Sequence, residues 1–337
     1  MTRRTSISLA FFCLLLPPAF LVGQFWLFTT RPLTPPTTIR LTIAPGATIT
    51  QTAELLEKKG VIASAGNFRL LTRLKSGDKA IKIGVYDFSQ AANPQEVLRR
   101  LLAGDIVLRR ITIPEGFALK EIAARLENLG YGPAGEFLRL SRDREFLKSL
   151  DLPGPSLEGY LFPETYFAAL DASPRQLLQM MVREFRKRVP AELIAAAKNQ
   201  GLTLPQLVTL ASIVQKEARR VEEMPTIASV YLNRLRIRMP LQADPTVIYG
   251  MENYNGNITK ADLLQKTPYN TYKISSLPPG PIASPGADAL QATAYPAHTH
   301  YLYFVGKGDG THAFSENLIR HNEAVQRYQL RRRPSGG

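Results

Sequence analysis

The sequence predicts an α+β fold: an N-terminal membrane helix, a small α+β module, then a mainly helical domain with a small β-hairpin or sheet. Three observations predict it. An apolar run, Ile7–Phe28, opens the chain. A strand, a glycine turn and an amphipathic helix then occur twice, at one constant offset that sets Gly46 on Gly116. Beyond residue 133, apolar residues return at helical spacing in segment after segment, until two short β-type runs flank Gly306–Gly310.

The elements follow in order. Residues 1–6 carry Arg3 and Arg4, and residues 7–28 are long enough to cross a bilayer core, which needs about 20 apolar residues. Bulky AFLVGQFWLF follows Pro17-Pro18 and offers no small-residue cleavage site, so the run reads as an uncleaved anchor rather than a signal peptide. The two arginines orient it with the N-terminus in the cytoplasm and the rest outside, Trp26 marking the outer interface. Residues 29–40 include RPLTPPTTIR and read as a stiff extended linker.

Residues 41–130 read as an α+β module. Its repeat copies are 43–62 and 113–132, with Ile49 on Leu119, Ala53 on Ala123 and Leu56 on Leu126, each helix ended by Gly60 or Gly130. Between them lie a strand around Val85, Tyr86 and Phe88 and a helix entered through Asn93-Pro94. Residues 131–330 form the second domain. Helices are expected over 173–189, 191–200, 205–220, 224–238, 284–294 and 316–331, and strands over 301–305 and 311–315. Leu157–Tyr166 is a loop with its own aromatic core, and 331–337 a frayed tail.

The chain has 337 residues, 45% of them hydrophobic, and a formal charge of +14. That excess calls for an anionic neighbour: lipid headgroups, cell-wall polymer or nucleic acid. The cations are dispersed, without a recognition helix or an aromatic-studded basic strand, and the soluble part is exported, so nucleic acid is the weakest choice. Cys13 is the only cysteine and lies in the apolar run, which excludes an internal disulfide and a cysteine metal cluster. His298, His300, His312 and His321 lack metal-ligand spacing, and Ser212 and Ser284 lack a His/Asp constellation. Neither a metal nor a cofactor is expected.

The most informative segment is Leu207–Gly250. Leu207, Leu210, Ala211, Val214 and Ala218 recur at helical spacing, and Glu217 follows Val214 by three positions and Ile213 by four. Glu217 therefore belongs at the edge of an apolar face. A carboxyl group there either loses water, with the raised pKa that a general acid requires, or sits in solvent beside Lys216, Arg219 and Arg220.

LEGYLFPETY, LASIVQKEA, NRL, LQADPTVIYG, TPYNTY, LPPGPIASPGADAL, YLYFV and HAF…HN stand in one order along nearly the whole chain. In this the sequence resembles the endolytic murein transglycosylase family of YceG-like proteins. The resemblance implies a LysM-like character for 41–130 and a catalytic YceG-like domain over 131–330. It also implies a single-pass enzyme of the bacterial inner membrane with its catalytic domain outside. Such an enzyme cuts nascent peptidoglycan glycan strands at MurNAc–GlcNAc bonds, leaves 1,6-anhydro-MurNAc ends and ends strand elongation behind polymerases such as penicillin-binding proteins. The family's catalytic glutamate falls on Glu217. Another acid often stands two residues earlier in the family, where this chain has Gln215, which leaves one acid acting alone. The rival reading is a non-catalytic peptidoglycan-binding scaffold.

Further candidates surround that acid in sequence. Glu158 and Tyr160, with Glu164 behind them, are candidates to line a sugar groove, and otherwise support a packed loop. Asn233 and Arg234 face either the groove or the helix surface. Gln242, Asp244 and Thr246 are suited to bonding N-acetyl groups, although Asp244 before Pro245 reads more simply as a helix cap. Tyr269, Asn270, Thr271 and Tyr272 form a compact polar and aromatic set, with Asn270 the best candidate for orienting sugar and a turn residue its alternative.

Overall fold

The computed structural model describes residues 18–34, 38–76, 80–152 and 154–330. Helix α1 covers residues 18–30 and exposes Phe20, Leu21, Val22, Trp26 and Leu27. Among the described residues no helix is long and apolar enough to cross a membrane. The first part of the expected span, 7–17, and the tail 331–337 lie outside the described residues. Of the expected linker, Leu33 is bridged to Ala92 through two backbone hydrogen bonds (3.1 and 3.2 Å).

The chain divides into two compact units. The first runs through Arg109 and takes in Phe167–Asp171. It holds β1 (Arg40–Ile43), α2 (Ile49–Lys58), α3 (Ala65–Lys75), β2 (Gly84–Asp87) and α4 (Pro94–Ala103). Strands β1 and β2 pair antiparallel, Arg40 opposite Asp87 and Ile43 opposite Gly84. Their inner faces and the helices bury Leu41, Ile43, Leu56, Phe68, Tyr86, Phe88, Val97 and Leu101 in one core. Thr48 and Gln51 close a reciprocal cap at the start of α2, and Asn93 Oδ1 accepts from Glu96 N–H (2.8 Å) ahead of α4.

The second unit comprises 110–166 and 172–337. Strand β3 (Leu108–Thr112) opens the second repeat copy and leads into α5 (Leu119–Asn128), α6 (Ala134–Leu140) and α7 (Arg144–Ser149). Both repeat copies have the expected turn and stop, Gly46 and Gly116, Gly60 and Gly130 all taking positive φ. The division falls at 109/110 and not at the expected 130/131, because the second copy is held by its own unit. Gly116 N–H donates to Ser284 O (2.9 Å), Ser284 N–H to Phe117 O (2.8 Å), and the carboxylate of Glu158 accepts from Leu119 N–H (3.0 Å).

Strand β4 (Thr165–Ala169) pairs with β3, and α8 (Pro174–Arg188), α9 (Ala191–Asn199), α10 (Leu204–Glu217) and α11 (Met224–Arg236) follow. Short helices α12 (Asp244–Gly250) and α13 (Lys260–Leu264) precede α14 (Ala287–Ala294). The hairpin of β5 (Tyr303–Gly306) and β6 (His312–Ser315) pairs Tyr303 with Ser315 and Gly306 with His312. α15 (Leu318–Val325) ends in a single π-helical turn, Gln326–Leu330. The expected amphipathic helix 205–220 is instead central: Leu207 through Val214 are all buried, and α10 packs against α9, α11, α12 and α14.

Candidate active site

Helix α10 stops at Glu217 because Ala218 turns extended (φ −72°, ψ 127°). The carboxyl group of Glu217 is thus delivered from the end of a helix buried from Leu207 to Val214 into a cleft, rather than onto a helix surface. Two cavities meet there. One, of 310 Å³, is lined by Glu217, Arg234, Gln242, Asp244, Tyr272 and His321, among others. The second, of 870 Å³, shares Glu217, Asp244, Tyr272, Phe304 and His321 and extends past Lys216, Arg219 and Tyr254 to the β5–β6 hairpin.

Around Glu217 the polar groups are ordered by α11 and β5. Tyr231 Oη donates to Glu217 Oε1 (3.1 Å), and the ring of Phe304 meets Tyr231 edge-on at 5.8 Å. The buried guanidinium of Arg234 donates to Leu302 O (2.6 Å) and Leu241 O (2.7 Å) and lies over the Tyr303 ring. Burial pushes the Glu217 carboxyl up to about 7, and the negative charge of Asp244 adds to the rise. The bond from Tyr231 and the charge of Arg234 act the other way. At neutral pH the group is therefore divided between acid and base forms, as a residue that gives and later takes a proton requires. Among the described residues no three metal-ligating side chains come together.

Of the expected site residues, Glu217, Arg234, Gln242, Asp244 and Tyr272 line the cleft. Asp244 is not the cap of α12: Ala243 holds that position, and Asp244 Oδ1 accepts from Tyr272 Oη (2.6 Å). Gln242 takes a left-handed backbone (φ 52°) that turns the chain into α12. Gln215 accepts from Gly286 N–H (2.9 Å), a structural contact.

The remaining candidates have internal partners and line neither cavity. Glu158 is buried, and besides Leu119 N–H it accepts from Tyr249 Oη (2.9 Å). Burial pushes it, too, up to about 7. Its partner in the aligned first repeat explains the need: Thr48 caps α2 with its own hydroxyl, whereas Ala118 has none, and Glu158 meets the opening N–H of α5 instead. Tyr160 is buried edge-on against Phe185 (5.1 Å), and Tyr269 rests on Tyr249 (4.8 Å). Thr246 bonds Thr271 (2.8 Å) and Ala243 O (2.7 Å). Asn270 Nδ2 donates to Gln265 O (2.6 Å) and Leu263 O (3.1 Å). Asn233 Nδ2 donates to Thr299 O (2.9 Å) and Tyr301 O (3.0 Å). Glu164 pairs with Arg188 (2.7 Å).

The cleft also holds residues that the sequence did not single out, Tyr303, Phe304 and His321, and the buried Tyr231 stands behind Glu217. Tyr231 follows Ile227 by one helical turn and so carries only the signal of a core residue. His321 is stacked on Tyr303 (5.2 Å), and burial lowers its pKa.

The sequence model of the YceG-like family matches residues 41–327. A Bacillus subtilis (strain 168) protein named endolytic murein transglycosylase is 32% identical over 308 residues, covering 87% of this chain and 85% of its own. A Streptococcus pneumoniae (strain D39) protein of the same name is 29% identical over 315 residues, covering 84% of this chain and 57% of its own. The crystal structure of a YceG-like protein from Listeria monocytogenes superposes with a TM-score of 0.58 at 32% identity, covering 85% of this chain and 98% of that one.

Proposed function

The chain belongs to the YceG-like family, and we propose that Glu217 is the single acid and base of its reaction. The protein is an endolytic murein transglycosylase, a lytic enzyme that cleaves MurNAc–GlcNAc bonds inside peptidoglycan glycan strands. The observation that carries the assignment of Glu217 is its place where the two cavities meet. A strand lying through the cleft has sugars on both sides of the carboxyl group, which is what cutting within a chain needs.

The chemistry requires no external nucleophile. Glu217 gives its proton to the glycosidic oxygen, the C1–O bond breaks toward that oxygen, and the MurNAc O6 hydroxyl attacks C1 of its own ring. The O6 proton then passes to the Glu217 carboxylate. A tethered hydroxyl replaces water, so the product is a 1,6-anhydro ring. Raised pKa and partial burial both serve the first step; the Tyr231 hydrogen bond holds the carboxyl group in place at the cleft.

The enzyme is held at the inner membrane by residues 7–28, with residues 1–6 in the cytoplasm and the catalytic domain outside. Arg3, Arg4 and the apolar run support this reading, as does the apolar exposed surface of α1. There it meets strands leaving the polymerases, with the LysM-like α+β module of the first unit resting against glycan.

The test is digestion of uncrosslinked glycan strands by the protein and by Glu217→Gln, with products read by mass. Anhydro-ended fragments from the protein and none from the variant are expected. Wild-type activity in Glu217→Gln overturns the acid assignment, and ordinary reducing ends make the enzyme a hydrolase. No products from either protein would favour a binding scaffold.

A further inference from the structure

The positive charge that develops at C1 needs a partner, and the cleft contains one. Asp244 lines both cavities with Glu217. Its Oδ1 is fixed by Tyr272 Oη at 2.6 Å, a short bond of the charge-assisted kind. Tyr272 lines both cavities as well, so the bonded pair is part of the cleft wall and not of the protein interior.

We infer that Asp244 is a second catalytic carboxylate, an anion facing the glycosidic carbon that stabilises its positive charge while Glu217 donates the proton. The inference rests on the reading of Glu217 as the acid. Asp244 forms no bond to the sugar and keeps its charge throughout. The proton moves from Glu217 to the leaving oxygen, the C1–O electron pair leaves with that oxygen, O6 closes on C1, and the O6 proton returns to Glu217. An anion fixed before the reaction begins stabilises developing charge without reorganising.

The surrounding groups agree. Tyr231 and Arg234 on α11 reach Glu217, one as donor and one as cation, and both favour its ionised form. Lys216 is turned to Gly116 O (3.2 Å). Burial and the charge of Arg234 lower the pKa of His321, which favours the neutral imidazole. Among the described residues Asp244 is thus the anion whose charge reaches Glu217, and it holds the acid protonated as well as facing the substrate.

Steady-state digestion of soluble glycan strands by the wild-type protein, Asp244→Asn, Tyr272→Phe and Glu217→Gln across pH tests this. Asp244→Asn keeps an acceptor for Tyr272 and removes only the charge. It is expected to lower kcat by about 10²–10³-fold, with KM changed less. Anhydro products should persist, and the alkaline limb of kcat/KM should move to lower pH because Glu217 loses a neighbouring anion. Tyr272→Phe should lower kcat to a smaller extent. Wild-type kcat in Asp244→Asn, or a lowered kcat with an unmoved alkaline limb, overturns the inference while an inactive Glu217→Gln leaves the acid assignment intact. An active Glu217→Gln overturns the acid assignment instead. Should Asp244→Asn fail to fold, Tyr272→Phe with wild-type melting decides: unchanged kcat overturns the role of Asp244.

Discussion

Tyr231 donates its phenolic hydrogen to Oε1 of Glu217 at 3.1 Å, one helix carrying the proposed acid and the next its hydrogen-bond donor. The bond favours the carboxylate, so it works against the burial that raises the acid's pKa. Tyr231→Phe removes it while keeping the ring against Phe304. The alkaline limb of the rate profile should move to higher pH, opposite to the shift expected for Asp244→Asn. Loss of the bond should lower kcat roughly tenfold, and stability should fall by about 0.5–1.5 kcal/mol. A pH–rate profile and a urea titration check both.

Glu217 also links activity to stability. Its folded pKa of about 7 exceeds the ordinary 4.5, so between these values the native state binds more protons than the unfolded chain. Stability should therefore be fully present below pH 4.5 and fall as pH rises to 7. Glu217→Gln removes its own share of that dependence and leaves that of Glu158: at pH 8 it should be more stable than the wild type by about 1–3 kcal/mol, with the gain gone at pH 4. Denaturant unfolding at the two pH values measures the difference.

Helical spacing alone places Glu217 beside Ile213 and Val214 at the edge of an apolar face, and its choice as the acid rests chiefly on the family resemblance. The caps of α4 and the two repeat helices were legible from local residues. The walls of the cleft were not. Tyr231 carries the pattern of a core residue, and only the packing of α11 against α10 brings its hydroxyl to Glu217. Asn270 and Thr246, candidates for bonding sugar, are instead held by internal partners. A rigid loop leaves its own carbonyls and N–H groups to be satisfied, and these polar side chains turn inward to do so.

Glu158 has the raised pKa of a catalytic residue and the contacts of a structural one. Glu158→Ala leaves Leu119 N–H at the start of α5 and the Tyr249 hydroxyl without their acceptor. The expected cost is about 2–4 kcal/mol. Below the melting transition, kcat per folded molecule should stay within a few-fold of wild type. A kcat loss comparable to that of Glu217→Gln, at unchanged stability, would instead return Glu158 to the site.

Gly159 lies directly behind the acid's helix. Its φ of +82° is one that side chains avoid, and an added Cβ would come 2.5 Å from Pro281 Cβ and 2.8 Å from Val208 Cγ1. The proline ring cannot turn aside, and Val208 belongs to α10, so the strain would be passed along the helix that ends in Glu217. Gly201 has nearly the same backbone, φ +79°, with nothing within 4 Å of its Cβ position. Gly201→Ala should thus show the cost of the backbone alone, about 1–2 kcal/mol. Gly159→Ala adds overpacking and should lose about 3–5 kcal/mol, together with kcat as α10 shifts. Urea midpoints of the two variants, compared at one pH, isolate the packing contribution. Equal losses would mean that Val208 and Pro281 give way freely and that α10 is not braced by this turn.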